Sequence, residues 1–119
     1  MNIQMKRIYD PIAQTDGKRV LVDRLWPRGI KKEAAQLDLW AKQVTPSDTL
    51  RKWYHQDPQH HWDEFQQRYL LELEQVKPQL EQLRQLAQQG TVTLLTAAKN
   101  QNHNHVIVLK DVLQNLSKF

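Results

Sequence analysis

The sequence predicts a single α/β domain with a small, partly parallel sheet flanked by helices. Three observations carry that expectation. Two short runs, Val20-Leu21-Val22 and Val92 with Leu94-Leu95, are apolar on both faces, as strands buried in the middle of a sheet must be. More than a helix length separates them, so they can pair in parallel through a crossover. The apolar residues between and after them recur every three or four positions, the spacing of helices that cover a sheet. A chain of 119 residues makes one domain, residues 1–119, able to bury roughly two thirds of the surface that its unfolded form exposes.

Taken in order, Ile3, Met5, Ile8 and Tyr9 mark a first short strand. Asp10-Pro11 to Asp16-Gly17 reads as a turn region. Lys18 to Asp23 is the first buried strand, and Leu25 to Gly29, broken by Pro27 and Gly29, is the loop that leaves it. Leu37 to Val44 alternates in the manner of a strand. Pro46-Ser47-Asp48 starts a short helix through Leu50 and Trp53. Asp57-Pro58 starts a longer one, with Asp57 as the cap and Pro58 at a position that needs no amide proton. Trp62, Phe65, Tyr69, Leu73 and Val76 form its apolar face. Pro78 forces a kink or a new helix, which Leu80, Leu83 and Leu86 continue. Gly90 is expected to end it in a left-handed cap. Thr91 to Thr96 is the second buried strand. Lys99 to Asn104 is a polar loop, and a last helix carries Val106, Leu109, Val112 or Leu113, and Leu116 on one face.

Composition narrows the chemistry. With no cysteine, disulfide scaffolds, thiolate metal sites and cysteine nucleophiles are excluded. No apolar run is long enough to span a membrane, and Met1 to Asp10 lacks the apolar stretch of a signal peptide, so a cytoplasmic protein is expected. Three glycines leave no Gly-rich phosphate loop. The net charge of +4 is unevenly placed: the residues up to Lys32 carry +5 and the remainder −1.

Two loops concentrate the residues that could bind or react. Asp23-Arg24-Leu25-Trp26-Pro27-Arg28-Gly29 leaves the C-terminal end of a buried strand, the edge at which open α/β sheets take their ligands. Arg24 and Arg28 have the fork geometry that grips a phosphate or carboxylate through two bonds, and Trp26 offers a flat wall. Pro27 and Gly29 would stiffen the turn and let the backbone come close. Thr96-Ala97-Ala98-Lys99-Asn100-Gln101-Asn102-His103-Asn104-His105 leaves the other buried strand. If the two strands run parallel, both loops emerge on one edge. Lys99 then joins the arginines, the two small alanines leave room for a ligand, and Asn104 caps a helix whose first amides attract anions. Asp23 and His103 are the acid–base candidates. The same residues also suit structural roles: arginines paired with helix carboxylates, Trp26 in the core, Asn104 as a cap only.

Other constellations carry less. His55, Asp57, His60 and His61 cluster before a helix, and His103 and His105 lie two apart, but neither spacing is that of a zinc site, so no metal and no cofactor is expected. Asp63-Glu64 and Glu72-Glu74 read as a solvated, salt-bridged helix face. Neither Ser47 nor Ser117 sits in a nucleophile elbow.

The segments Lys6-Arg7-Ile8-Tyr9-Asp10-Pro11, Gly17 to Gly29 with its VDRLWPRG run, Pro46-Ser47 through Leu50-Arg51-Lys52-Trp53, Trp62 and Phe65 with Arg68-Tyr69 and Glu72-Leu73, and Val92 to Leu95 through His103-Asn104-His105 resemble the YeaO-like family over nearly the whole chain. The resemblance implies a compact bacterial α/β domain of unknown function with a shared polar site. Arg7, Asp23, Arg24, Arg28, Arg51, Lys99 and Asn104 match the family's pattern. Thr96 and Asn100 stand where the family usually has Tyr and Asp, which implies that any chemistry resting on that pair is altered or lost.

Binding of a small anionic ligand, phosphate- or nucleotide-bearing, is therefore the expected function, with Arg24, Trp26, Arg28, Lys99 and Asn104 as ligand-binding residues. A nucleic-acid-binding module using the basic first quarter is the alternative. A protein-interaction module built on exposed Trp26, Trp40 and Trp53 is a third.

Overall fold

The computed structural model describes residues 1–119. Four strands, β1 (Ile3–Arg7), β2 (Lys18–Leu21), β3 (Leu39–Trp40) and β4 (Val92–Thr96), form one sheet in the order β1-β4-β2-β3. Every pairing is parallel, not only the one that the sequence asks for. Lys18 pairs with Val92 and Leu21 with Leu95, so β2 and β4 end together. The five helices are α1 (Lys32–Ala35), α2 (Asp48–Gln56), α3 (Pro58–Glu74), α4 (Lys77–Gln89) and α5 (His105–Gln114).

The two-residue period of the strands divides the core. Ile3, Val20, Val22, Val92 and Leu94 point to one face, where Leu50 and Tyr54 of α2, Phe65, Tyr69 and Leu73 of α3, Leu80 and Leu83 of α4, and Val106, Leu109 and Leu113 of α5 cover them. Leu21 and Leu95 point to the other face, into a smaller cluster with Ile8 and Ala35 that Trp26 and Trp40 overlie. Each fully buried Leu or Val in these clusters contributes about 2 kcal/mol. No helix is long and apolar enough to cross a membrane.

Local signals set most boundaries. Ser47 caps α2, its hydroxyl accepting from the Leu50 amide at 3.2 Å. Pro58 opens α3, and Pro78 starts a new helix rather than a kink, since α3 stops at Glu74 and α4 begins at Lys77. Gly17, at φ +63°, is required twice over: its backbone is left-handed, and a Cβ there would lie 2.1 Å from the Thr91 carbonyl.

Four expectations need correction. Leu37 to Val44 is not one strand: only Leu39 and Trp40 pair with β2, and Lys42–Val44 tightens into a 3-10 turn that leads toward α2. Gly90 is no left-handed cap, since its φ of 170° is extended backbone running straight into β4. Asp57 precedes α3 without capping it, because its carboxylate holds the His60 ring at 2.8 Å instead. Glu72 is not part of a solvated face: it accepts from the Ser47 amide at 2.8 Å and the Ser47 hydroxyl at 2.6 Å, fastening the start of α2 to α3.

Candidate functional site

Because β2 and β4 are parallel and in step, the loops that follow them leave from the same edge of the sheet. A cleft of about 660 Å³ opens there. The Asp23–Arg28 loop, the segment from Thr96 to His105, Tyr9 beyond β1, and Arg51, Tyr54 and His55 of α2 line it. All seven residues singled out from the sequence are among the lining.

Their tasks differ. Asp23 is the hub of the two loops: its carboxylate accepts from the Thr96 hydroxyl at 2.7 Å and the Ala97 amide at 2.7 Å, and it faces Nε2 of His105 at 3.2 Å. Burial pushes its pKa up, but the His105 hydrogen bond and charge, the Ala97 amide and the Thr96 hydroxyl together outweigh that and hold it below the usual carboxylate value. His105 Nε2 also lies 2.6 Å from the Val22 carbonyl. A nitrogen between two acceptors carries the proton, so His105 donates inward. Arg24 turns away from the loops and donates to the carbonyls of Pro46 (2.9 Å) and Thr45 (3.2 Å), tying β2 to the start of α2. Trp26 donates to the Ile30 carbonyl at 2.7 Å and meets Trp40 edge-on at 5.2 Å, which makes it both core and wall. Asn104 caps α5, its side-chain oxygen accepting from Val106 and Ile107, so those amides are already engaged. His103 is exposed and stacks on Trp62 at 4.8 Å.

Arg28 and Lys99 stand apart from this network. Both are exposed, and neither makes a salt bridge or a side-chain hydrogen bond within the chain. Gly29 beside Arg28 supplies a left-handed turn at φ +76° and no close approach, for a Cβ there would meet nothing within 4 Å. Arg7 and Tyr9 brace the loops from β1. The Arg7 guanidinium donates to the carbonyls of Ala97 and Ala98, and the Tyr9 hydroxyl donates to the Arg28 carbonyl at 2.9 Å.

Three hydroxyls near the cleft, those of Thr96, Ser47 and Tyr69, are committed. Thr96 donates to Asp23 and accepts from the Ala98 amide at 3.1 Å. Ser47 serves its cap and Glu72. Tyr69 is buried and donates to the Val44 carbonyl, and burial holds its pKa well above the ordinary phenol value. None of these three is poised beside a base as a nucleophile must be.

Residues 2–118 match the family described as the inactive DUF488-N3 subclade. The chain belongs to that family. It is 49% identical over 116 residues to the uncharacterized protein YeaO of Escherichia coli, covering 98% of this chain and 100% of that protein. Its identity to the uncharacterized protein Rv3073c of Mycobacterium tuberculosis is 41% over 111 residues, 93% of this chain and 92% of that one. No solved structure matches the chain. The YeaO-like resemblance carried by the VDRLWPRG run is thus shown over the whole domain.

Several residues that line the cleft were not singled out from the sequence. Arg51, Tyr54 and His55 reach the cleft from α2, and His105 is an internal donor rather than a solvated loop residue. Arg51 and His55 sit one turn apart on a helix, a spacing that places both on one face, but nothing local says which loop that face meets.

Proposed function

We propose that this protein binds a small phosphate-bearing anion of nucleotide size in the cleft at the C-terminal edge of its sheet. One observation carries the reading. Asp23 is the only acidic residue lining the cleft, and its oxygens are filled by donors of the protein itself, whereas Arg28 and Lys99 line the same cleft with no carboxylate partner. Unneutralised cations in a recess with apolar walls attract an anion and raise its local concentration. Trp26 and the small Ala97 and Ala98 supply wall and space. Arg24 and Asn104 act through position: the first fixes the loop against α2, the second fixes the start of α5. Recognition without turnover accords with the committed Thr96 hydroxyl and with the family's description as an inactive subclade. Were a proton to be moved at all, Asp23 and the exposed His103 would be the groups to carry it.

A thermal-shift screen against nucleotides, sugar phosphates and polyanions tests the reading. A ligand at about 100 times its Kd should add about 2.7 kcal/mol of stability. Arg28→Ala should abolish the shift. A screen in which no member stabilises the protein, or in which stabilisation survives in Arg28→Ala and Lys99→Ala alike, would overturn it. The nucleic-acid reading draws less support, because Lys6 and Arg19 of the basic quarter are both bonded to Asp16. Salt-sensitive binding of a random duplex would restore it. The three tryptophans proposed as an interaction patch are all partly covered: Trp26 and Trp40 lie against each other, and Trp53 lies between His61 and Arg68.

A further inference from the structure

The α2 wall of the cleft holds a charge that the chain satisfies only weakly, the guanidinium of Arg51. Arg51 Nε is sealed from solvent and has no hydrogen-bond partner in the protein. The guanidinium's one carboxylate contact, Nη2 to Asp48, is long at 3.4 Å and lies on the outer side, where Asp48 is exposed. Nε is as closed to a ligand as it is to water, but the side chain is 34% exposed, so the Nη end of this permanently charged group is what a partner from outside the chain would reach. His55, one turn along α2, lines the same wall. Its pKa is lowered, by burial first and then by its neighbours Arg51 and His105.

Arg28 and Lys99 come from the loops and Arg51 from a helix, so the cleft's unpaired and weakly paired cations belong to two separate parts of the chain. Much of the remaining lining is apolar or aromatic, including Trp26, Pro46, Tyr54 and Phe65. A volume of about 660 Å³ falls within the roughly 300–1,000 Å³ of pockets that enclose whole small molecules, and is far more than one phosphate fills. We propose that Arg51 is the centre of a second anion subsite, and that the ligand carries two separate anionic groups on a ring-bearing body, as a nucleoside bisphosphate does. This deepens the anion-binding reading and rests on it.

Calorimetric titration with inorganic phosphate, adenosine 5′-monophosphate and adenosine 3′,5′-bisphosphate tests the proposal. The bisphosphate should bind about tenfold tighter than the monophosphate or better, the effect of one added charge-assisted contact. Arg51→Gln should bring the bisphosphate down to the monophosphate's affinity and leave the monophosphate unchanged, with Arg51→Lys restoring part of the difference. Arg28→Ala should weaken both. A melting curve of Arg51→Gln matching that of the unaltered protein shows that the loss is local. Equal affinity for the two nucleotides, or an Arg51→Gln variant that weakens both alike, overturns the second subsite while leaving the anion-binding reading intact. Failure of all three probes to bind overturns both.

Discussion

Two aspartates flank β2, and each gathers donors in a different way. Asp16, before the strand, is 1% exposed. It takes Lys6 at 2.9 Å, Arg19 at 2.6 Å and the Ala13 amide at 3.1 Å. The other guanidinium donors of Arg19 go to the Ala35 carbonyl, at 3.1 and 3.0 Å. Charge and hydrogen bonds both close. Asp23, after the strand, is also saturated, but by an amide, a hydroxyl and an imidazole, while its neighbour Arg24 turns to the carbonyls of Thr45 and Pro46. Arg28 and Lys99 are left free. The same residue type therefore closes one network, and beside the other leaves two cations unpaired. The difference lies in which donors fill the carboxylate: a lysine and an arginine beside one amide at Asp16, and neither of those residue types at Asp23.

The largest expected effect falls on the closed network. Asp16→Asn leaves a buried guanidinium without its counter-charge and should cost about 4 kcal/mol of unfolding free energy, read from urea denaturation. A loss below about 1 kcal/mol would show that the Arg19 bonds to Ala35 suffice, and the contrast between the two ends would fail.

Asp23→Asn should cost less, about 2 kcal/mol, because the amide oxygen still accepts one of the three donors and no buried guanidinium is stranded. Loosening of the Thr96–Ala98 segment, followed by amide exchange, should accompany it.

Acid should act on both aspartates in the same direction. At Asp16 burial raises the pKa, but the Lys6 hydrogen bond, then the Ala13 amide and Arg19, outweigh it, and the pKa is lowered as it is at Asp23. A carboxyl whose folded pKa lies below its unfolded one stabilises the fold fully above the unfolded value, here near 3.8, and loses that contribution as pH falls through the folded value. Stability measured from pH 6 downward should thus hold until about pH 4 and then decline. The decline should be shallower in Asp16→Asn and Asp23→Asn, each of which lacks one of the two groups. An unchanged slope in both variants would remove the carboxylates as its source.

The smallest effects belong to the free cations. Arg28→Ala and Lys99→Ala should each change stability by no more than about 0.5 kcal/mol, since neither side chain has a partner to lose. A cost near 2 kcal/mol at Arg28 would mean that it is bound into the fold after all and would sharpen the contrast in favour of Lys99 and Arg51.

Much of this was legible because the signals are local. Apolar doublets mark β2 and β4, Ser47 and Asn104 cap the helices that follow them, and Pro58 and Pro78 sit in first turns that spare an amide proton. The site loops were legible for one further reason: a buried strand fixes where its exit loop emerges once pairing is parallel. What failed was long-range. Glu72 reads as one more helix carboxylate until α3 folds back on Ser47, and His105 reads as a loop histidine until Val22 and Asp23 arrive across the sheet. The alternation from Leu37 to Val44 is strand-like, yet β2 pairs with it only at Val20 and Leu21, so two residues are all that can join.

By itself, the sequence determined the α/β class, the two central strands, the helix starts and the concentration of Arg28, Lys99 and Asp23 in two exit loops. These follow from side-chain periodicity and from capping within a few residues, where the backbone leaves little choice. Tertiary structure alone decided which charges remained free. Arg24 found carbonyls, Arg19 found Asp16, and Arg51 kept a buried donor with nothing to give it to. A charged side chain is satisfied or left wanting by groups that lie far away in the chain, and only the packed fold brings those groups within the 3 Å or so of a hydrogen bond.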